Sequence, residues 1–346
     1  MITKFHDLCI DVIIEIFSYF NVHEIFYSFC LLIPCLPRLL VNGRVPLHVR
    51  ANNSYFIRWI LPHIQLPQVV SLDIQTRPYN PSIFKFSGLR SLVLHDIDDP
   101  LCLLERTNDW PPYHLEHLSL YIRNQDVPNK STHIGTRVLE RALQLPRLKC
   151  FELHESKSSL RMVQLFDQLN FPLKFRSSNI QSLILTVYCN WKTLETIIDY
   201  SPNLRYLQIY SSFNYNERFS SQLCLSSIRK MYLRFDGLQT NILTQLFSNA
   251  PCLRRLQLKC SVSPVKQLYI DLLKSETWIQ LIDTCIPQLR TLDVDIQFGL
   301  DADSERRIDM INEDFRKLNF KIDFDSENRY QAWKMTGSFY RKIHNQ

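Results

Sequence analysis

Apolar residues recur along this chain in a six-residue pattern: one apolar residue, two variable residues, a second apolar residue, one variable residue and a third apolar residue. Nine copies begin 20 to 36 residues apart, at Val69, Leu89, Leu115, Leu148, Ile180, Leu204, Ile228, Leu253 and Leu289. The alternation at the end of each copy predicts a short, half-buried β-strand. Repetition at this period is typical of solenoids, in which each unit packs only on its neighbours.

Proline separates the strand pattern from a preceding helical pattern in five of the copies. It stands two residues before the first apolar position, at Pro67, Pro146, Pro202, Pro251 and Pro287. Proline cannot continue a helix and keeps the residue before it extended. Apolar residues at three- and four-residue steps predict helices over 190–200, 239–249 and 276–286. The predicted unit is therefore a helix, a proline turn and a strand.

This unit resembles the leucine-rich repeat, L-x-x-L-x-L-x-x-N/C-x-L, through its first six positions. The resemblance extends from about Val69 to Ile296. It implies an α/β solenoid of short parallel strands, with helices on its convex side and variable residues on its concave side. In the eight later copies the ninth position holds neither asparagine nor cysteine. We therefore expect irregular turns.

The N-terminal segment has a different pattern. Val12, Ile13, Ile16, Phe17 and Phe20 form one apolar helical face, and the asparagine that follows Phe20 is suited to cap a second helix beginning two residues later. The segment resembles an F-box, the helical module that binds the Skp-type adaptor of cullin ubiquitin ligases. The resemblance implies adaptor contacts by Leu8, Cys9, Val12, Ile13, Ile16, Phe17, Tyr19, Phe20, Ile25 and Phe26.

This organisation gives three regions. We expect an F-box-like helical module over 1–45, a leucine-rich-repeat solenoid over 46–325, and a C-terminal cap or tail over 326–346. Residues 305–324 are predicted to form a last helix and a strand. An F-box followed by leucine-rich repeats resembles ubiquitin-ligase receptors, which bring a protein substrate to an adaptor and a cullin. The alternative is a ligase-independent scaffold whose N-terminal helices only cap the solenoid.

Composition narrows the function further. The chain has 6 glycines in 346 residues and no glycine-rich phosphate loop, so we expect no nucleotide cofactor. It also lacks the catalytic motifs G-x-S-x-G and H-E-x-x-H, and we expect no enzyme activity. Its 10 cysteines are scattered without a C-x-x-C pair, which favours a reducing compartment, the cytoplasm or the nucleus. The longest apolar stretch is too short for a membrane span. The net charge of +6 is modest, so protein is the expected partner and nucleic acid is the lesser rival.

The predicted partner surface lies in the C-terminal third. Alternation along the strands places on the exposed face Tyr206, Tyr210, Lys230, Tyr232, Arg234, Arg255 and Lys259, followed by Asp293 and Asp295. Tyrosine and arginine are enriched at binding hot spots. These residues suit an acidic or phosphorylated segment of a protein substrate. The alternative is that the charges only keep the open strands soluble.

Two further patterns are interpreted as surface features, so no metal ligands are assigned. The D-x-D pairs Asp293/Asp295 and Asp323/Asp325 fit alternating exposed strand positions. His114 and His117 flank the start of a strand, and no carboxylate or cysteine follows them at ligand spacing.

Overall fold

The computed structural model describes fourteen ranges of the chain: 8–29, 46–51, 66–75, 86–97, 114–122, 132–155, 178–189, 191–212, 225–236, 240–261, 274–298, 308–316, 320–325 and 332–340. The chain divides into two compact units. Unit 1 comprises residues 1–130 and 137–161, and unit 2 comprises residues 131–136 and 162–346.

The described part of unit 1 contains two N-terminal helices followed by parallel strands. The helices are α1 (Ile10–Phe17) and α2 (Val22–Phe29). The strands are β1 (Leu47–Ala51), β2 (Val69–Ile74), β3 (Ser91–Ile97), β4 (His117–Ile122) and β5 (Cys150–Glu155). Each strand pairs in parallel with the next one in sequence. A 3₁₀ turn (Leu66–Gln68) precedes β2, and helix α3 (Thr132–Gln144) precedes β5 in sequence.

In unit 2, five parallel strands are followed by an antiparallel pair. The parallel strands are β6 (Ser182–Cys189), β7 (Tyr206–Ser212), β8 (Lys230–Asp236), β9 (Arg255–Ser261) and β10 (Thr291–Phe298). Between them in sequence are α4 (Trp191–Tyr200), α5 (Thr240–Ser248) and α6 (Ser275–Gln280), which continues as a π-helical turn, Leu281–Cys285. The last elements are α7 (Ile308–Arg316), β11 (Phe320–Asp325) and β12 (Ala332–Tyr340).

All nine apolar patterns form strands, β2 to β10, as predicted. The second and third apolar residues of every copy are at most 4% exposed: Leu72, Ile74, Leu92, Leu94, Leu118, Leu120, Phe151, Leu153, Leu183, Leu185, Leu207, Ile209, Met231, Leu233, Leu256, Leu258, Leu292 and Val294. The pairing aligns equivalent positions, so Leu92 is opposite Leu118, which is opposite Phe151. Burying one such side chain contributes roughly 1.5–3 kcal/mol, and this burial holds neighbouring repeats together.

Turns before the strands fix the register. In the copies that begin at Leu253 and Leu289, the N–H of that leucine donates to the carbonyl three residues earlier, at 3.1 and 2.9 Å. Proline occupies the second position of both turns, which suits its fixed φ. Just beyond the turn, the Arg229 carbonyl accepts from the N–H groups of Arg254 and Arg255 at 2.9 and 3.1 Å. The predicted order of helix, proline turn and strand is confirmed in these copies.

The fold is therefore α/β with a mostly parallel sheet in each unit. Two strands were not predicted from the sequence. The first is β1, in which Leu47 and Val49 are buried. The second is β12, which lies between β10 and β11 and pairs antiparallel with both, so the C-terminal region covers the edge of β10. Helix α7 and strand β11 form where a last helix and strand are predicted. No helix within the described ranges has the length and hydropathy to cross a bilayer.

Candidate functional site

The residues predicted to bind a partner lie on adjacent strands of unit 2. We call seven of them the basic–tyrosine patch: Tyr206, Tyr210, Lys230, Tyr232, Arg234, Arg255 and Lys259. In the pairing register, Tyr206 is opposite Lys230, which is opposite Arg255. Four residues further along the same strands, Tyr210 is opposite Arg234, which is opposite Lys259. Tyr232 lies between these rows, so the structure brings the whole patch onto one face of the sheet.

A cavity of about 410 Å³ opens within the patch. Its walls include Tyr206, Lys230, Tyr232, Arg255, Thr291 and Asp293. The side chains of Lys230 and Arg255 are exposed, and no carboxylate among the described residues pairs with either. Like charges directly opposite each other destabilise a sheet. An anionic group entering the cavity would relieve this repulsion and contact the two tyrosine rings.

The remaining charges of the surface have partners within the chain. Lys259 Nζ lies 3.1 Å from Asp295 Oδ2, and Ser338 Oγ on β12 donates to Asp293 Oδ1. The Arg234 guanidinium lies over the Tyr210 ring, 4.7 Å from its centroid, which is a cation–π distance. Lys259 is therefore neutralised by Asp295, whereas Lys230 and Arg255 at the cavity, and Arg234 beside Tyr210, keep their positive charge.

The N-terminal helices form a compact element packed on β1. The rings of Phe17 and Phe20 lie 5.2 and 5.6 Å from the Phe29 ring and join α1 to α2. Asn21 Oδ1 accepts from the Glu24 N–H at 3.0 Å, while Glu24 Oε2 accepts from the Asn21 N–H at 2.8 Å. This reciprocal pair is a capping box, so the predicted cap for the second helix is confirmed. The rest of the predicted module, residues 1–7 and 30–45, lies outside the described ranges.

The residues assigned to adaptor binding differ in exposure. The buried residues are Ile13, Phe17 and Ile25. The half-buried residues are Leu8, Ile16 and Phe20, and the exposed residues are Cys9, Val12 and Tyr19. The side chain of Phe26 lies outside the described part of the molecule. Val12 and Tyr19 are 40% and 79% exposed. Ile10, which is not among the residues assigned by the F-box resemblance, is 43% exposed. These three apolar side chains are the ones available to a partner, whereas the buried ones form the module's own core.

A second polar group lies on β3, β4 and β5 of unit 1, and we call it the His117 cluster: His117, Cys150, Glu152, Ser91, Ser119 and His154. Glu152 Oε1 lies 3.5 Å from His117 Nε2 and 3.7 Å from Cys150 Sγ, which donates to it. Glu152 Oε2 accepts from Ser119 Oγ at 3.0 Å and lies 3.2 Å from His154 Nε2. On the other side of the imidazole, Ser91 Oγ lies 3.0 Å from His117 Nδ1. Both oxygens of Glu152 and both ring nitrogens of His117 therefore lie close to polar atoms of the cluster.

Contacts within the cluster shift the pKa values of His117 and Glu152 in opposite directions. The Cys150 sulfur and the Glu152 carboxylate, acting as acceptors beside the ring, raise the pKa of His117 to about 9. The neighbouring His117 imidazolium and then the hydrogen bond from His154 hold the pKa of Glu152 well below its usual range. Both side chains keep some solvent access, 32% for His117 and 20% for Glu152. At neutral pH the cluster therefore contains a charged imidazolium and a carboxylate.

An aromatic column continues from the cluster across the sheet. The ring of Tyr121 is stacked between those of His95 and His154, with centroids 4.3 Å away on each side. This spacing is close to the distance between neighbouring strands, so equivalent positions on β3, β4 and β5 stack directly. At the far end His95 Nε2 lies 3.1 Å from Asp73 Oδ1.

The sequence interpretation of His117 missed its partners. Cys150 and Glu152 follow His117 by 33 and 35 residues, one repeat later, so a search for ligands at short spacing cannot find them. The parallel register between β4 and β5 brings them together. His114 is exposed and outside the cluster, and Asp293 and Asp295 occupy the alternating positions expected for them.

Comparison with known proteins gives no family for this chain. No protein-family model matches the sequence, and no curated protein is detectably similar to it. A functional assignment therefore depends on the fold and the surfaces described above.

Proposed function

We propose that this chain is the substrate-recognition subunit of a Skp/cullin-type ubiquitin ligase. Its leucine-rich repeats bind a protein substrate, and its N-terminal helices bind a Skp-type adaptor and, through it, a cullin. The chain contributes proximity, because it raises the substrate's effective concentration near the conjugating machinery, which performs the chemistry. The proposed site of action is the cytoplasm or the nucleus. The observation that carries the proposal is the cavity within the basic–tyrosine patch.

Assignment to the leucine-rich repeats is supported by the repeat geometry. Nine apolar hexads form successive parallel strands within the two units, and the described pairings align equivalent hexad positions, with register shifts only after the hexads in β3 and β6. Helices precede several of these strands and end at a turn. A stack of this kind leaves the variable side chains of many strands on one exposed face. Such a face is suited to bind an extended segment of another protein.

The chemistry of the patch supports an acidic or phosphorylated substrate segment. Lys230 and Arg255 provide charge-assisted hydrogen bonds to a phosphate or carboxylate, and Arg255 can do so with two parallel N–H groups. Tyr206 and Tyr232 add rigid aromatic walls to the cavity. A cavity of about 410 Å³ is large enough for one modified side chain together with part of its backbone.

Adaptor binding is supported by the exposed apolar side chains of the N-terminal module. Ile10, Val12 and Tyr19 occupy a short stretch at and after helix α1, and each is at least 40% exposed. Exposed large apolar side chains can be buried against a partner, which favours binding. The alternative, a ligase-independent scaffold, is favoured by a specific observation, since α2 packs on β1 as a cap would.

A direct titration separates the two functions. The full chain is titrated with a purified Skp-type adaptor by calorimetry. We expect binding that Val12→Asp weakens at least about tenfold, because a buried, unpaired carboxylate is costly in an apolar interface. Ile279→Asp is the matched control, since Ile279 is also 40% exposed but lies on α6 in unit 2. No binding by the folded wild-type chain, or equal weakening by both variants, would leave the scaffold as the function.

A further inference from the structure

The three groups at the centre of the His117 cluster have the composition and spacing of a metal site. A ligand atom of His117, Cys150 and Glu152 lies within 4.8 Å of each of the others. His117 and Cys150 are directly opposite in the pairing of β4 and β5, and Glu152 is two residues further along on the same face. Two rigid strands thus hold an imidazole, a thiol and a carboxylate around one point. Cys150 carries a free thiol.

The measured separations fit a tetrahedral ion. With Zn–N and Zn–O distances of about 2.0–2.1 Å and a Zn–S distance of about 2.3 Å, tetrahedral angles place N and O ligands about 3.3 Å apart and S and O ligands about 3.5 Å apart. The corresponding separations here are 3.5 Å from His117 Nε2 to Glu152 Oε1 and 3.7 Å from Cys150 Sγ to Glu152 Oε1. Two of the three separations are therefore within about 0.2 Å of this geometry, and the third, between His117 and Cys150, is within 4.8 Å.

A second observation points independently to a ligand at this position. His117 Nε2 is shielded from solvent and makes no hydrogen bond of normal geometry among the described residues. A buried polar atom left without such a partner costs free energy, so it marks a place where a ligand would stabilise the fold. The nitrogen is directed towards the carboxylate oxygen that also contacts the cysteine.

Surrounding side chains orient these three groups as an outer shell does in metal sites. Ser91 contacts His117 Nδ1, which leaves Nε2 for the ion. Ser119 and His154 hold Glu152 Oε2, which leaves Oε1 for the ion. Such partners fix ligand orientation and typically affect metal affinity 10- to 100-fold.

We propose that His117, Cys150 and Glu152 bind a zinc ion on the exposed face of unit 1. A mixed nitrogen, sulfur and oxygen set favours zinc over magnesium and calcium, which prefer oxygen alone. Three protein ligands leave a fourth position for water or for a donor group of a bound partner. Because this face is continuous with the strands of the repeats, the ion would add a coordinating site to the surface that unit 1 offers a partner.

Cobalt(II) is the probe for the test, because thiolate coordination gives it a charge-transfer absorption band. The reduced, chelator-treated full chain is titrated with Co²⁺ and then with Zn²⁺, and far-UV circular dichroism monitors the fold. We expect one Co²⁺ per chain, a sulfur-to-cobalt band and displacement by Zn²⁺. Cys150→Ser abolishes the band and weakens binding more than tenfold, while Cys252→Ser, which changes a half-buried cysteine in unit 2, leaves both unchanged.

Removing an outer-shell partner provides a second, milder variant. We expect Ser119→Ala to retain the band and weaken Co²⁺ binding roughly tenfold, because Glu152 loses its serine contact. Absence of the band in the wild-type chain overturns the proposal whether or not any variant folds. Persistence of the band in Cys150→Ser, or its loss in Cys252→Ser, overturns it as well, because the sulfur ligand would then be another cysteine.

Discussion

Replacing Gly88 by alanine provides a quantitative test of how neighbouring repeats stack in unit 1. Gly88 lies in the turn before β3, beside the turn before β2. A Cβ atom on Gly88 would lie 2.2 Å from the Pro67 carbonyl oxygen, and real Cβ contacts are at least 3.0 Å. The two backbones would have to separate by at least 0.8 Å. The adjacent hydrogen bond from the Arg90 N–H to the Val70 carbonyl is 2.8 Å long and would be stretched to about 3.6 Å, beyond the normal range.

The expected cost follows from these changes. Overpacking costs roughly 1–3 kcal/mol and a lost hydrogen bond about 0.5–1.5 kcal/mol. A glycine-to-alanine change returns about 0.4–1 kcal/mol by restricting the unfolded chain. The net expectation is a destabilisation of about 2 kcal/mol, which corresponds to roughly 30-fold faster amide exchange in β3.

Native-state hydrogen exchange is the appropriate assay, because it resolves β2 and β3 from the rest of a repeat chain that need not unfold in one step. Ser87→Ala is the control, since Ser87 is exposed in the same turn and should change stability by less than about 0.5 kcal/mol. Unchanged or slower exchange in Gly88→Ala would refute the close stacking of the two turns.

Three further predictions concern the N-terminal module and the His117 cluster. Asn21→Ala removes one half of the capping box with Glu24 and should destabilise α2 by about 1 kcal/mol, measured by exchange of the α2 amides. Phe17→Ala should destabilise the module by about 3–5 kcal/mol in the same assay, because this ring is 0% exposed, and a smaller effect would contradict its place in the core. In metal-free protein, the stabilisation from protonated His117 is complete below pH 6.5 and is lost as pH rises towards 9. The stabilisation from ionised Glu152 is complete above pH 4.5 and is lost as pH falls below 4.5. Urea denaturation should therefore show unfolding free energy decreasing from pH 6.5 to 9, and His117→Gln should flatten that decrease; an identical slope in both proteins would contradict the assigned pKa.

The sequence was sufficient to predict the strands because their order depends on local patterns. The hexad fixes which residues of a strand are buried, so β2 to β10 could be predicted one repeat at a time, and in five copies a proline also marks where the strand begins. Strand β1 has buried Leu47 and Val49 but lacks the complete hexad. Strand β12 is determined by antiparallel pairing with β10 and β11, which no local pattern encodes.

The two candidate sites also differ in how far each could be predicted from the sequence. The basic–tyrosine patch was predictable because its residues occupy the same alternating positions on successive strands. The partner of Asp293 was not predictable, because its contact with Ser338 depends on β12. The His117 cluster was missed because its members are separated by whole repeats and meet only through the register of β3, β4 and β5.

The exposure of the N-terminal residues also changes how adaptor binding should be tested. A substitution at Ile13, Phe17 or Ile25 would disrupt the module's core, so loss of binding would not distinguish contact from unfolding. Val12 and Tyr19 are exposed and provide variants that keep the core intact.

Quantitative affinity purification tests most directly whether the adaptor and the substrate bind to separate surfaces. It compares the partners retained by three tagged forms of the chain. The forms are wild type, Val12→Asp, and the double variant Lys230→Glu with Arg255→Glu. Lys192→Glu is the charge control, because Lys192 is exposed on α4. We expect Val12→Asp to lose the Skp-type adaptor and the cullin but to keep the other partners. We expect the double variant to keep the adaptor and the cullin but to lose acidic or phosphorylated partners. The same set of partners in all three folded forms would contradict a receptor with separate adaptor and substrate surfaces.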